Sequence, residues 1–434
     1  MSSSILIYSE KRSNRLTYIG NYVFGVRCGL DVTFTNEPSD LDSADCPVLN
    51  YSFDASLDGI QFRPAKLLFE KRPTLQEIDV DSSGEIPLLF ADSNSKFGHD
   101  PLAAAFYLLS RYEEYLPFVQ DEHNRFLSTS SILSKYNAIE IPLVDIYIER
   151  IRNEIKVKYE RISLSPETFR DEVTVDVDQL LMYRSKGLAR TLFGLLADLV
   201  RNPKKIQERV SVLVGQSKDP LEVYDEIISK CASKKIRPIF FFQVGETSRY
   251  DLNNPVHIPN VKQRINEIAL DSDMGLHPSY FSSEDDGQVD LEFERLQSVS
   301  NSRIIRSRQH YLRYRLPGTL RHLEELGMTH EHSVGFADAN GFRAGTSHPF
   351  PFFDLERDES GTLMLHPFVF MDMCAVRNSE GSEIALKSLI NLRQTVRKYG
   401  GVFSSVWHPE VLIGMHGSIR TWDLFNHIIE ENEV

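Results

Sequence analysis

From about residue 170 onward the chain alternates short apolar runs with longer stretches whose apolar residues recur at spacings of three and four. The short runs are EVTVDV (172–177), RPIFFFQV (237–244), MGLH (274–277), RIIRSR (303–308), HSVGF (332–336), HPFVFMD (366–372) and GVFSSVW (401–407). Helical patterns such as NVKQRINEIAL and EIALKSLINLRQTVRKYG lie between most of them. Short strands alternating with amphipathic helices predict a parallel sheet. Seven such strands predict an α/β fold, a distorted seven-stranded (β/α) barrel that is closed or nearly closed. In such folds active sites gather at the carboxyl ends of the strands.

The first part of the chain is patterned differently. Short alternating segments, ILIYS and IPLLFAD, are separated by Asp, Ser, Gly and Pro. They precede two helical patterns, Asp100 to Leu116 and Ile141 to Glu160. Asp100 suits an N-cap and Pro101 the first turn after it. Residues 1–165 are expected to form a small α+β domain of unknown role, and residues 170–434 the barrel. No chemical constellation stands out before residue 165.

Composition narrows the class. At 41% hydrophobic and 25% charged, the chain can bury an ordinary core. Its formal net charge of -14 disfavours nucleic acid as a partner, because a phosphate backbone calls for clustered Lys and Arg. The basic stretch Arg201 to Lys205 reads as a solvated helix end. No apolar run approaches the ~20 residues of a membrane span, and the start MSSSILIYSEKRSNR lacks the order of a signal peptide. Cys28, Cys46, Cys231 and Cys374 are widely spaced, which argues against a disulfide framework and a zinc knuckle. The expected compartment is the cytoplasm, and any metal must be held by His and carboxylates.

Polar residues collect where the strands end: Asp176 and Asp178, His277, Arg308 with His310, Asp372, and His408. Asp176 and Asp178 are two apart and share one face of a continuing strand. Two carboxylates on an interior face repel unless a cation lies between them; otherwise they cap the following helix. Two His and one carboxylate form a common catalytic metal set with open positions for water and substrate. The expected ligands are Asp178, His277 and His310. Such ligands suit one divalent ion, zinc before cobalt, nickel, manganese or iron. His408, in WHPEVL, has the pKa range of a general acid. The aromatic loop GFRAGTSHPFPFFD (Gly341 to Asp354) either covers the pocket mouth and stacks on sugar faces, or packs against the barrel.

Taken together these residues resemble the polysaccharide deacetylases of the NodB-homology superfamily, the family 4 carbohydrate esterases. TVDVDQ (Thr174 to Gln179) is similar to their first motif, which implies Asp176 as catalytic base and Asp178 as metal ligand. GLHPSY is similar to the second, with His277 as ligand. SRQHYL is similar to the third, whose Arg contacts the base, implying Arg308. WHPEVL is similar to the fifth, implying His408 as the acid. The second motif of the family carries another His four residues on, where this chain has Phe281, so His310 is expected to supply the missing ligand. An Asp that orients the acid His is expected at Asp372 or Asp338. Ser279, Tyr280, Phe342, Arg343 and Trp407 are the expected substrate contacts. A subgroup with an added amino-terminal domain and GFRAGT after the fourth motif is associated with surface polysaccharide synthesis.

The resemblance implies a metal-dependent hydrolase that removes an N- or O-linked acetyl group from a carbohydrate. Two rivals remain at this point: an amide hydrolase acting on a small cyclic imide or ureide, and an inactive carbohydrate-binding or scaffolding protein.

Overall fold

The structure is a computed structural model that describes residues 4–378, 381–417 and 419–430, without the side chains at 201, 203 and 204. Its first sheet has four strands, β1 (Ser4–Tyr8), β2 (Asp31–Thr35), β3 (Val48–Tyr51) and β4 (Ile60–Phe62), in the order β2-β1-β3-β4. Every pairing in it is parallel. This part is therefore of the α/β kind rather than the expected α+β, because the helix Asn14–Gly20 and the segments after it carry the chain back between parallel neighbours. A two-stranded antiparallel pair, β5 (Val80–Asp81) with β6 (Leu88–Leu89), lies outside that sheet.

Asp100 caps the next helix as its position predicts, accepting hydrogen bonds from the amides of Leu102 and Ala103. That helix, Pro101–Leu109, is buried on all sides and stops well short of Leu116. Arg111 takes a left-handed conformation (φ 53°), which breaks the helical path before Tyr112–Tyr115. The second expected helix runs Leu143–Lys158.

The second sheet has nine strands: β7 (Phe169–Val177), β8 (Ile239–Phe242), β9 (Asp273–Leu276), β10 (Arg306–Ser307), β11 (His330–Val334), β12 (Phe350–Asp354), β13 (Glu359–Pro367), β14 (Phe370–Met371) and β15 (Gly401–Trp407). Their order is β12-β13-β11-β10-β9-β8-β7-β15-β14. All pairings are parallel except β12 with β13.

Seven strands become nine for two reasons. The expected strand 366–372 is divided between β13 and β14. The aromatic loop supplies β12, which forms a hairpin with β13. At the division the Phe368 amide donates to Val334 O at the end of β11, and the Val369 amide donates to Ser404 O in β15. One bent segment thus touches both ends of a curled sheet, and no ladder of paired strands closes it among the described residues.

Alternation along β7 sorts its side chains. Val173, Val175 and Val177 are buried in the main apolar core, where each contributes about 1.5–3 kcal/mol. Thr174 and Asp176 turn to the other face, which is the inside of the curl.

The segment 341–347 ties the two parts of the chain together. Phe342 N donates to Ile139 O, and Val144 N donates to Gly345 O. Asp145 accepts from Thr346 Oγ1 and the Ser347 amide and pairs with Arg27 at 2.7 Å. Gly341 is required here. Its φ is 136°, and a Cβ would lie 2.4 Å from Ile139 O. Phe353 packs against Tyr18 and Phe106, and Phe342, Phe350, Phe352 and Phe353 are all buried. Of the two readings of this aromatic stretch, packing is the one the structure shows.

All four cysteines are free. No helix among the described residues is long and apolar enough to cross a membrane.

Candidate metal centre and active site

The ends of β7, β9, β10 and β15 meet at one cavity of about 330 Å³, a size suited to a small ligand. Asp176, Asp178, His277, His310 and His408 all line it. The Asp178 carboxylate faces two imidazoles. His277 Nε2 lies 3.1 Å and His310 Nε2 3.5 Å from its Oδ1. The three ligand atoms fall within 4.8 Å of one another.

The tautomers follow from what the other ring nitrogens touch. His277 Nδ1 lies 2.6 Å from Arg308 O, an acceptor only, so Nδ1 carries the proton and Nε2 offers a lone pair. His310 Nδ1 lies 2.9 Å from Asp251 Oδ1 and donates to it in the same way. Gln243 Nε2 also donates to that oxygen. Asp178 Oδ1 is buried and receives no hydrogen bond. Three acceptor atoms therefore converge with no donor among them, each imidazole braced from behind by an oxygen. That donor set fits a divalent cation. Without one, a proton fills the gap. Burial opposes the charge on His310, but Asp178 and then Asp251 outweigh it and push the group up to about 9. Burial likewise opposes the charge on Asp178, and the neighbouring His310 and His277 hold it well below its ordinary value.

Asp176 lies one layer deeper. Its Oδ1 accepts from Arg308 Nη1 at 2.9 Å. Arg308 is fully buried, with Phe241 and Phe368 against its guanidinium, and it also donates to Thr174 Oγ1 and His332 O. Across from it, His408 Nε2 is 3.8 Å from Asp176 Oδ2. His408 Nδ1 is 2.7 Å from Asp372 Oδ1, and the His408 amide donates to Asp372 Oδ2. Burial disfavours the imidazolium, but Asp372 and then Asp176 and Asp178 prevail and push His408 up to about 10. Of the two candidates for the residue behind this His, Asp372 is the one in contact. Asp338 instead accepts from the Ser128 amide and hydroxyl.

The five expected substrate contacts do not line the cavity. Phe342 and Trp407 are fully buried, Trp407 between Phe370 and Phe425 with Nε1 donating to Ser405 Oγ. Arg343 pairs with Glu114 and opens on a different cavity. The Ser279 hydroxyl and amide both donate to the buried Glu292. Tyr280 stands behind the wall, stacked on Tyr250 at 3.8 Å and bonded through its hydroxyl to His123. Each was expected from its nearness in sequence to a motif, but strand alternation and local turns point these side chains into the protein.

The rest of the wall is made by residues that the sequence did not mark as site residues. Tyr250, Tyr311, Leu252, Met371 and Met415 supply apolar surface, and Arg125 and Arg377 supply positive charge. Arg125 comes from the first part of the chain and reaches across to donate to Tyr311 O. Tyr311 itself takes a left-handed backbone (φ 59°), a strained conformation of the sort found where a fold must aim a particular side chain. Glu410, two residues beyond His408, also faces the cavity. Burial and then the charge of Asp178 push it up to about 8. Phe281, at the place of the absent second His, is half exposed and near Tyr250.

A second cluster, Glu172, His332 and His366, also brings potential ligand atoms together. It makes a poor metal centre. The His332 and His366 rings are stacked at 4.3 Å with only 14° between planes, so they cannot both aim a lone pair at one ion. Burial, and then the charge near His330 and Arg170, pushes His366 down to about 3, and burial holds His332 well below its ordinary value. His99, buried against Tyr147, is pushed by burial down to about 4.

These neutral histidines have an acid consequence. Their folded pKa lies below the unfolded value of about 6.5, so the unfolded chain takes up protons that the folded chain refuses. Their stability is fully present above about pH 6.5 and drains as pH falls toward 4, by on the order of 1–2 kcal/mol per group at pH 5. Raised groups such as Glu410 act in the opposite direction, so the test is a difference: in urea unfolding at pH 7 and pH 5, His99→Phe is expected to become more stable relative to the parent at pH 5 by on the order of 1–2 kcal/mol. A parent-to-variant difference that is the same at both pH values is the opposing result.

Comparison with known proteins adds the following. A sequence-family profile, described as a family of unknown function (DUF7033), matches residues 5–160. No curated protein matches the chain. A solved structure from Mycobacterium smegmatis, described as "putative polysaccharide deacetylase", is 14% identical over 62% of this chain and 86% of its own, with a TM-score of 0.40.

Proposed function

We propose that this chain is a metal-dependent hydrolase that removes an acetyl group from a carbohydrate, with its chemistry in residues 170–434 and the first part of the chain contributing Arg125 to the cavity wall. One observation carries the reading. Three metal-type ligand atoms share one cavity with a carboxylate locked by a buried Arg and, opposite it, a His backed by Asp372.

Asp178, His277 and His310 would hold the ion. Bound there, a divalent metal supplies Lewis-acid polarisation of an acyl oxygen and acidifies an attacking water. Asp176 is the group positioned to take a proton from a water in the cavity. Arg308 donates to its Oδ1 and so fixes its orientation. His408 holds a proton at neutral pH and faces the same space, so it can deliver it to the leaving nitrogen or oxygen. Asp372 receives Nδ1–H and so keeps the transferable proton on Nε2. Tyr250 and Tyr311 offer the aromatic faces that sugar rings stack on.

The test is acetate release from a panel of N-acetylated and O-acetylated saccharides, run beside cyclic imides. Acetate is expected from at least one saccharide, abolished by a chelator and restored by zinc. Turnover of imides alone would move the assignment to the rival amide hydrolase.

A further inference from the structure

The helix Leu188–Arg201 is amphipathic with its faces reversed. Leu188, Leu192, Phe193, Leu196, Leu199 and Val200 are between 52% and 93% exposed. Arg190 and Asp198 point inward. Arg190 donates to Thr247 Oγ1 and Asn253 O. Asp198 pairs at 2.6 Å with Arg209 of the following helix, Pro203–Leu213. Gly194 allows this packing, since a Cβ there would lie 2.6 Å from Arg209 Nη1. The polar face is thus held by specific bonds, and the apolar stripe is left outside by construction. Val210, Leu213 and Val214 are exposed as well.

Charge supplies the second observation. Residues 182–221 contain eight Lys and Arg (184, 186, 190, 201, 204, 205, 209 and 218) against three acids (198, 208 and 219), a balance of +5 within a chain of net charge -14. The segment lies beside the cavity. It follows Asp178 directly, and Met182 and Leu221 at its two ends line the cavity. Leu252, half exposed, also lines it and adjoins Asn253, where Arg190 is anchored.

We infer that the helix pair 188–213 is an interfacial element that seats this chain on an anionic lipid surface, with the cavity mouth at that surface. A monomeric soluble protein rarely exposes a contiguous apolar patch of this extent without a partner. An exposed apolar stripe on a net positive segment suits a helix that lies in the headgroup plane, and Lys205 and Lys218 are its exposed cations among the described side chains. The 14-residue helix is about 21 Å long, short of the ~30 Å hydrocarbon core, so it lies along the surface and does not cross it. A protein partner would also cover apolar side chains, but the local excess of positive charge on an acidic chain selects an anionic surface. The inference stands apart from the deacetylase reading, because lipid binding needs neither substrate nor metal.

The test is flotation of the full chain with vesicles of phosphatidylcholine containing phosphatidylglycerol, and with phosphatidylcholine alone. The protein is expected to float with the anionic vesicles, at least about tenfold less with the neutral ones, and less at high salt. The double variant Leu192→Ser, Phe193→Ser is expected to lose at least about tenfold in binding while its circular dichroism is unchanged, since both side chains are exposed. Three results overturn the inference: no flotation with anionic vesicles, equal flotation with neutral ones, or a double variant that floats like the parent. Light scattering that shows a dimer, made monomeric by the same double variant, also overturns it by assigning the face to a second copy of the chain.

Discussion

Purified without chelator, the protein is expected to carry about one divalent ion per chain, zinc foremost, and His310→Ala to lose it. His310 decides this test because it stands where the family resembled has no ligand, and because the usual second His is replaced by Phe281. Its Nε2 is one of two nitrogen lone pairs that face Asp178 Oδ1 among the described residues. Asp178→Asn removes the charge that draws the ion in and is expected to have a loss as large. Asp251→Ala leaves all three ligands in place but frees the His310 ring, so a weaker effect is expected, about 10–100-fold in metal affinity. Elemental analysis and competition with a chromogenic chelator measure all four proteins. A parent protein that holds no metal and takes none up would end the hydrolase reading and leave the carbohydrate-binding or scaffolding role. His310→Ala binding as tightly as the parent would remove His310 from the ligand set alone.

Asp176→Asn is expected to lower kcat by about a thousandfold with metal content unchanged, and His408→Ala by about 10²–10⁴-fold. The two groups are 3.8 Å apart on one cavity, yet their environments differ in sign. Asp176 faces a buried guanidinium, while His408 faces three carboxylates. Of the two, His408 is the one that its carboxylate neighbours hold as a proton donor. The sign of the pH dependence follows. Asp372 is the foremost of the charges that raise the His408 pKa, so Asp372→Asn lowers it, and the donor form is lost at lower pH. The alkaline limb of kcat/KM is expected to move down by at least about one pH unit in that variant, while the acid limb stays in place. An Asp176→Asn enzyme with near-normal turnover would assign the base elsewhere. An alkaline limb unmoved by Asp372→Asn would mean that His408 is not the acid whose ionisation is seen.

Much of this site was legible along the chain because strand geometry is local. The two-residue period of β7 places Thr174 and Asp176 on one face and the valines on the other whatever the rest of the fold does. Strand ends were recognisable from apolar runs stopping at polar residues, and so Asp178, His277, His310 and His408 could be named before any contact was known. Asp100 as a helix cap, and the helix near 143–158, rest on the same kind of short-range rule.

What lay beyond the sequence depends on register and on which segments meet across long separations. Asp251 braces His310 from 59 residues away, Arg125 reaches Tyr311 from 186, and neither sits in a pattern that marks it. The choice of Asp372 over Asp338 turned on which carboxylate the bend between β13 and β14 delivers to His408. Apolar periodicity states that a residue has an apolar face, and it is silent on what covers that face. The aromatics of 342–353 were covered by the first part of the chain, so they became β12 and a docking seam rather than a substrate platform. The leucines of 188–201 were left uncovered, because hydrogen bonds and an ion pair hold the polar side of their helix inward.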